Sequence, residues 1–149
     1  MTIEQVSVFI ENAPGTLASL TRLLAQEGYD LLALALADTA QYGILRCLVK
    51  RPDDAVKALA KAGYTARKTE VLAVLVPDRP GGLAYVLETL AANNVSVEYS
   101  YSFARSINIT SSGESGAAIV LRVEQVERGV NALKKNNVHL IGSAELEKL

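Results

Sequence analysis

A short polar turn occurs twice in this chain, and its residue types suit the binding of a small polar molecule. The segment Asn12–Leu17 returns 66 residues later as Asp78–Leu83, with Pro-Gly at the centre of both copies. Each copy follows an apolar run typical of a strand and precedes a periodicity typical of a helix. We therefore expect the same strand–turn–helix entry at two places in the fold.

Backbone amides at these turns are the first chemical feature. The first N–H groups of a helix have no intrahelical acceptor and lie at the positive end of its dipole, so they favour a carboxylate. Gly15 and Gly82 lack a Cβ, so we expect them to let a ligand approach the backbone. Pro14 and Pro80 fix φ and offer no competing N–H.

Polar side chains at the turns are the second feature. Asn12 and Asp78 offer oxygens to an ammonium group, and Asp78 adds a full negative charge. Both residue types are also favoured helix caps, and this structural interpretation has about even odds. Arg79 stands where the first copy has Ala13; a solvated surface charge is favoured over a role in selecting an acidic ligand.

The elements around the turns follow one order twice. Hydrophobic periodicity predicts strand, helix, strand, strand, helix, strand in each half of the chain. We expect one domain at residues 1–69 and a second at residues 70–149. The predicted strands are 6–10, 29–37, 42–49, 64–69, 70–76, 95–103, 117–123 and 138–146, and the predicted helices are 16–27, 52–63, 80–94 and 126–136.

The residues that follow the predicted helices independently support the alignment of the two halves of the chain. Gly28 aligns with Asn94 and Gly63 with Asn137, and Gly and Asn are the residues that best tolerate positive φ after a helix. The offset grows from 66 to 74 between the two pairs, which places an insertion of eight residues within the segment Arg105–Gly116.

The second strands of the two halves differ. In the first half, residues 31–37 are apolar on both faces, which predicts that both faces are buried and that the bare sheet face of this half self-associates. In the second half, one face is expected to be apolar or aromatic and the other to meet water. The first of these faces carries Val95, Val97, Tyr99, Tyr101 and Phe103, and the second carries Ser96, Glu98, Ser100 and Ser102.

Composition excludes several functions. The chain has 149 residues, with 15 Lys and Arg against 16 Asp and Glu, no Trp and two Phe, which argues against a nucleic-acid or membrane-surface partner. Cys47 and His139 are the only residues of their types, so we expect no disulfide, metal site, catalytic constellation or cofactor. The start of the chain lacks a secretory pattern, so a cytoplasmic location is expected.

The duplicated motif resembles the ACT domain, a small βαββαβ regulatory module that binds amino acids. The resemblance covers essentially the whole chain as a tandem pair. It implies an α+β fold with two ferredoxin-like βαββαβ units side by side, forming an eight-stranded antiparallel sheet with four helices on one face. It also implies a free amino acid as ligand and a homodimer. The expected ligand-binding residues are Asn12, Ala13, Pro14, Gly15, Thr16, Leu17, Asp78, Arg79, Pro80, Gly81, Gly82, Leu83 and Tyr101.

Three functions follow as hypotheses. The first is a non-enzymatic regulatory protein that binds a small amino acid at the turns and the inter-domain interface, and that acts on an enzyme or other protein. The alternative is an interaction or oligomerisation module with vestigial ligand sites. A small enzyme on the same layout, such as an acylphosphatase, would need a suitably placed Arg in an anion-binding loop; Arg79 is present, but the first copy has Ala13 there.

Overall fold

A computed structural model describes residues 1–38, 42–104 and 116–148. Within these ranges the chain forms seven strands and five helices. It divides into two compact units, which we call the N-terminal unit (Glu4–Thr69) and the C-terminal unit (Met1–Ile3 with Glu70–Leu149). The predicted insertion at 105–116 lies outside the described residues, except for Gly116.

The N-terminal unit has the predicted βαββαβ order. Its sheet order is β2-β3-β1-β4, and both helices pack on the face that carries Val6, Val8, Leu45 and Cys47. Leu24 of the first helix and Leu59 of the second are buried there. The elements are β1(Ile3–Glu11), α1(Thr16–Gln26), β2(Ala33–Asp38), β3(Tyr42–Leu48), α2(Pro52–Lys61) and the first part of β4(Thr65–Pro77).

The exposure of β2 corrects the prediction that both of its faces are buried. Leu34 pairs with Cys47 and Leu36 with Leu45, so both leucines lie on the helix side of the sheet. They remain 42% and 49% exposed, because β2 is the outermost strand. The opposite face of β2 carries only alanines, such as Ala35.

The C-terminal unit repeats the layout with one added helix. Its sheet order is β5-β6-β4-β7, and its core joins strand residues such as Leu72 and Leu121 to Leu90 and Leu133 of two helices. The elements are the remainder of β4, α3(Gly82–Ala92), β5(Val97–Ser102), β6(Gly116–Val123), α4(Val126–Lys135), β7(His139–Leu140) and α5(Ser143–Leu146).

In the described residues, seven strands and five helices replace the eight and four that we predicted. The predicted strands 64–69 and 70–76 form one strand, β4, because no Gly or Pro interrupts the chain around Thr69 and Glu70. The predicted last strand ends at Leu140, because Gly142 begins the short helix α5. The Gly142 N–H donates to Glu145 Oε2 at 3.0 Å and helps to set that helix start.

A β-bulge corrects the predicted faces of β5. The register shifts between Val97 and Tyr99, and the extra residue reverses the alternation that follows. Val97 therefore lies on the helix side, while Tyr99 and Tyr101 lie on the other face, opposite Arg122 and Val120.

All four predicted positive-φ helix ends are confirmed. The φ values are 77° at Gly28, 53° at Asn94, 90° at Gly63 and 57° at Asn137. The two units thus share helix-end geometry even where their residues differ.

Candidate functional site

The turn between β1 and α1 is an exposed, hydrogen-bonded loop. The Ala13 N–H donates to Glu11 O at 3.0 Å, and Gly15 is the helix N-cap with φ 86°. The Thr16 hydroxyl oxygen lies 2.8 Å from both Glu11 O and Ala13 O, so hydrogen bonding by this side chain stabilises the turn. The positive φ makes glycine the favoured residue at position 15.

The turn between β4 and α3 has the same backbone geometry. The Arg79 N–H donates to Pro77 O at 2.8 Å, matching the Ala13 bond, and Gly81 is the N-cap with φ 87°. The Tyr85 N–H donates to Gly81 O at 3.0 Å and begins the helix. The duplicated motif is therefore duplicated in conformation as well as in sequence.

Gly82 has a packing role, which corrects the expectation that it opens the backbone to a ligand. It is buried, and a Cβ there would overlap the carbonyl oxygen of Pro77 and lie 3.0 Å from Val76 Cγ1. Around Gly15 and Gly81, by contrast, a Cβ would meet nothing within 4 Å. These two glycines are the ones that leave accessible backbone at the turns.

Neither Asn12 nor Asp78 caps its helix. Within the described parts of the chain, neither α1 nor α3 has a side-chain cap hydrogen bond at its start. Asn12 Nδ2 instead lies 3.5 Å from Asp38 Oδ2, and both residues are exposed. Asp38, at the end of β2, therefore places a carboxylate beside the first turn, and the sequence did not indicate it.

An open cleft of about 520 Å³ lies beside the first turn, within the N-terminal unit. This volume falls in the usual range for small-molecule sites. Of the predicted site residues, the structure brings Pro14, Gly15 and Thr16 to the cleft. The other lining residues, which sequence reasoning missed, are Phe9, Ile10, Glu11, Ser19, Gly63, Tyr64 and Thr65.

The cleft combines several kinds of polar group. Ser19, Tyr64 and Thr65 carry hydroxyl groups. Glu11 carries a carboxylate, but it alternates with the core residue Ile10 along β1 and so lies on the sheet face opposite the helices. The α1 N-terminus faces the same space through Gly15 and Thr16. Such a lining can hold a carboxylate at the helix end, and its hydroxyl groups can donate or accept further hydrogen bonds. Leu17, a predicted contact, instead packs against the core of the unit.

The second turn is also exposed, but Tyr101 does not reach it within the C-terminal unit. Asp78, Arg79 and Pro80 are all exposed. Tyr101 pairs with Val120, on the sheet face opposite α3 and α4. Its role as a ligand contact therefore stays a prediction, as do those of Asp78, Arg79 and Leu83.

The single cysteine and the single histidine of the chain, Cys47 and His139, lie outside the two turn motifs. Cys47 is fully buried, and burial raises the pKa of its thiol to about 12. His139 Nε2 lies 2.9 Å from Glu145 Oε1, an acidic partner that we did not anticipate from the sequence. Among the residues that the structure describes, no cluster of three or more metal-ligating side chains occurs, and no helix is long and apolar enough to cross a membrane.

Comparison with known proteins gives the family. A family model described as an ACT domain pair matches residues 1–149, and the chain belongs to this family. No curated protein sequence matches it. The crystal structure of protein BT0572 from Bacteroides thetaiotaomicron is 38% identical, with a TM-score of 0.88, over 100% of this chain and 98% of that one.

Regulatory proteins share the fold at lower identity. The ligand-free regulatory subunit of aspartate kinase from Thermus thermophilus is 18% identical, with a TM-score of 0.58, over 90% of this chain and 92% of that one. The corresponding subunit from Thermus flavus is also 18% identical, with a TM-score of 0.54 over 89% and 90%. The chain therefore has the fold of ACT regulatory subunits.

Proposed function

We propose that this chain is a non-enzymatic regulatory protein that binds a small free amino acid at its β1–α1 turn. The observation that carries this proposal is the cleft of about 520 Å³ beside Pro14, Gly15 and Thr16. Membership of the ACT domain pair family supports the regulatory role. The corresponding turn at Asp78–Leu83 is proposed as a second, more polar site.

The chemistry of the first turn fits a zwitterion. In the proposed complex the α-carboxylate accepts hydrogen bonds from amides at the start of α1, while the Asn12–Asp38 pair faces the α-ammonium. The helix dipole contributes about 0.3–1 kcal/mol, whereas micromolar binding needs about −8 kcal/mol. Most of the binding free energy must therefore come from direct hydrogen bonds and from contacts to the ligand side chain.

Regulation requires more than binding. The ligand must favour one arrangement of the protein, because a ligand with equal affinity for two arrangements shifts no population. The Thermus thermophilus protein of the same fold is a regulatory subunit of aspartate kinase. By analogy, we propose that a partner enzyme or other protein senses the bound state.

A panel of the twenty amino acids in a thermal-shift assay tests the proposal. At millimolar concentration, one amino acid or a few related ones should raise the melting temperature, and calorimetry should then give a saturable Kd. Gly15→Val should abolish that binding while circular dichroism shows an intact fold. If no amino acid stabilises the protein, or if Gly15→Val binds normally, the proposal is wrong for this turn.

Exposed apolar side chains favour a second candidate function, an interaction module with vestigial ligand sites. Leu34 and Leu36 on β2, together with Leu83 and Leu87 on α3, are each at least 37% exposed. Neighbouring exposed apolar side chains, such as Leu34 and Leu36 on one face of β2, are typical of protein–protein contacts when they form a contiguous patch. Concentration-dependent association with no response to any amino acid would support this candidate over the first.

A further inference from the structure

A second open cleft lies within the C-terminal unit, where the end of α4 meets β7 and α5. Its volume is about 620 Å³, which falls in the usual range for small-molecule sites. Among the described residues, none from either turn motif lines it. The cleft is therefore separate from the two turns and from the amino-acid binding proposed for them.

The positions just after the second helix of each unit contribute to a cleft in both units. Residues 63–65 line the cleft of the N-terminal unit, and residues 137–139, which stand 74 positions later, line this one. The first set brings two hydroxyl groups, whereas the second brings the apolar side chain of Val138 and the imidazole of His139. Matched positions thus carry different chemistry, which indicates different ligands.

The acidic side chain of this cleft already has partners in the protein. Glu145 Oε1 lies 2.9 Å from His139 Nε2, and Glu145 Oε2 accepts a hydrogen bond from the Gly142 N–H at 3.0 Å. Because a carboxylate only accepts, the first contact places a proton on Nε2 and fixes the orientation of the His139 ring. Both carboxylate oxygens of Glu145 are therefore engaged before any ligand enters.

The cationic side chain of the cleft, Lys134, has no such partner. Within the part of the chain that the structure describes, Lys134 forms no ion pair. Its ammonium group is free, while the oxygens of Glu145 are occupied. The polar side of the cleft is therefore suited to an anionic group, which would gain a charge-assisted hydrogen bond from Lys134.

Much of the remaining lining is apolar. It includes the side chains of Met1, Val138, Leu140 and Ala144. Each methylene group that a ligand buries against such a surface strengthens binding by up to about fourfold. A ligand that matches both parts of the cleft has an anionic group at one end and a short hydrocarbon chain at the other.

We propose that this cleft binds a small aliphatic carboxylate, with its anionic group at Lys134 and its hydrocarbon chain against Val138, Leu140 and Ala144. A free amino acid fits less well, because its ammonium group would lie near the ammonium of Lys134 while the Glu145 oxygens are already bonded. The two units of the chain therefore bind two different classes of small molecule.

A series of straight-chain acids from acetate to octanoate tests the site at neutral pH. Calorimetry should show affinity that rises with chain length, by up to about fourfold for each methylene, and then levels off. Hexanamide, which lacks the charge of hexanoate, should bind at least about fivefold more weakly. His139 is the only histidine of the chain, so its ring signals in proton NMR should shift on titration and give the same Kd.

Matched variants locate the bound carboxylate. Lys134→Gln should weaken hexanoate binding by about three- to fivefold. Lys135→Gln, at an exposed position of the same helix turn outside the cleft lining, should leave it unchanged. Ala144→Phe should weaken binding by filling the apolar side, whereas Gly15→Val at the first turn should have no effect.

Three results would overturn the proposal: no acid of the series binds at millimolar concentration, hexanamide binds as well as hexanoate, or the two lysine variants lose equal affinity. A weaker hexanoate Kd in Gly15→Val would also overturn it, because the acid would then occupy the first turn. Amino-acid binding at that turn is measured separately, so either proposal can fail without the other.

Discussion

Gly15 and Gly81 adopt the same backbone conformation 66 residues apart, with φ 86° and ψ −12° at Gly15 and φ 87° and ψ −11° at Gly81. Each is the N-cap of a helix, and each has open space where a Cβ would lie. A side chain at either position is therefore penalised by the backbone conformation and not by a clash. The conformational role of Gly15 and Gly81 can therefore be tested apart from any role in binding a ligand.

Gly15→Ala should lower the free energy of unfolding by about 1–2 kcal/mol and weaken binding of the amino acid identified by the thermal-shift panel. Gly28→Ala is the matched control, since Gly28 also has positive φ and open surroundings but ends α1 instead of beginning it. Urea unfolding should give similar losses for the two variants, while calorimetry should show weaker binding only for Gly15→Ala. Equal binding by both variants would refute a ligand role for Gly15.

Gly81→Asn should change stability by less than about 0.5 kcal/mol, because Asn tolerates left-handed backbone. Asn94 and Asn137 already do so in this chain. Gly82→Ala should cost about 1–3 kcal/mol, because the added methyl group overlaps Pro77 O. Urea unfolding of both variants checks whether Gly82→Ala loses more stability than Gly81→Asn. If Gly82→Ala were more stable than the wild type, α3 would be able to move away from β4.

Lys68 should contribute to the acid sensitivity of the N-terminal unit. It forms ion pairs with Asp53 and Glu4. The hydrogen bond from Lys68, followed by its charge, lowers the pKa of Asp53 below the ordinary 3.8. A lowered carboxyl pKa stabilises the fold above the unfolded pKa, and this contribution is lost as pH falls through the folded value.

Lys68→Gln should therefore flatten the loss of stability below about pH 4, the range in which an unfolded Asp titrates. Lys57→Gln is the comparison variant, because Lys57 Nζ lies 4.0 Å from Asp54 Oδ1 on the exposed surface and its charge lowers the pKa of Asp53 less than Lys68 does. Urea unfolding across a pH series measures the slope. If Lys57→Gln flattens that slope as much as Lys68→Gln does, the Lys68 pairs are not its cause.

Cys47 should be unreactive in the native protein. Its side chain is fully buried, and the raised pKa of about 12 keeps the thiol protonated near neutral pH. A thiol reagent such as a disulfide dye should react at least about a hundredfold faster in concentrated urea than in buffer. The exposed serine converted in Ser102→Cys provides a reactive comparison, and rapid native labelling of Cys47 would mean that its strand opens readily.

The order of helices and strands and the positions of the helix ends could be predicted from the sequence, because both depend on interactions between residues that are close in the chain. Periodicity places each helix and strand, and Gly28, Asn94, Gly63 and Asn137 mark positive φ through their own conformational preferences. The matched turns at Gly15 and Gly81 were readable for the same reason.

The continuity of β4 and the orientation of side chains on β5 depend on pairing between strands that are distant in the sequence. The absence of Gly and Pro around Thr69 and Glu70 permits one continuous strand but does not require it. No local signal showed that the bulge after Val97 turns Tyr101 to the other face. Which strand neighbours which, and in what register, is set by contacts far apart in sequence.

The candidate site shows the same division. The lining residues Pro14, Gly15 and Thr16 could be predicted because they are consecutive in the sequence and form a motif typical of a helix N-terminus. The lining residues Gly63, Tyr64 and Thr65 lie between the end of α2 and the start of β4. They are about 50 residues further along the chain than the turn, and only the packing of the fold brings them to the cleft. The sequence alone therefore determined that the turn at Gly15 leaves its backbone accessible, and only the packing of β4 beside β1 determined the shape of the cleft.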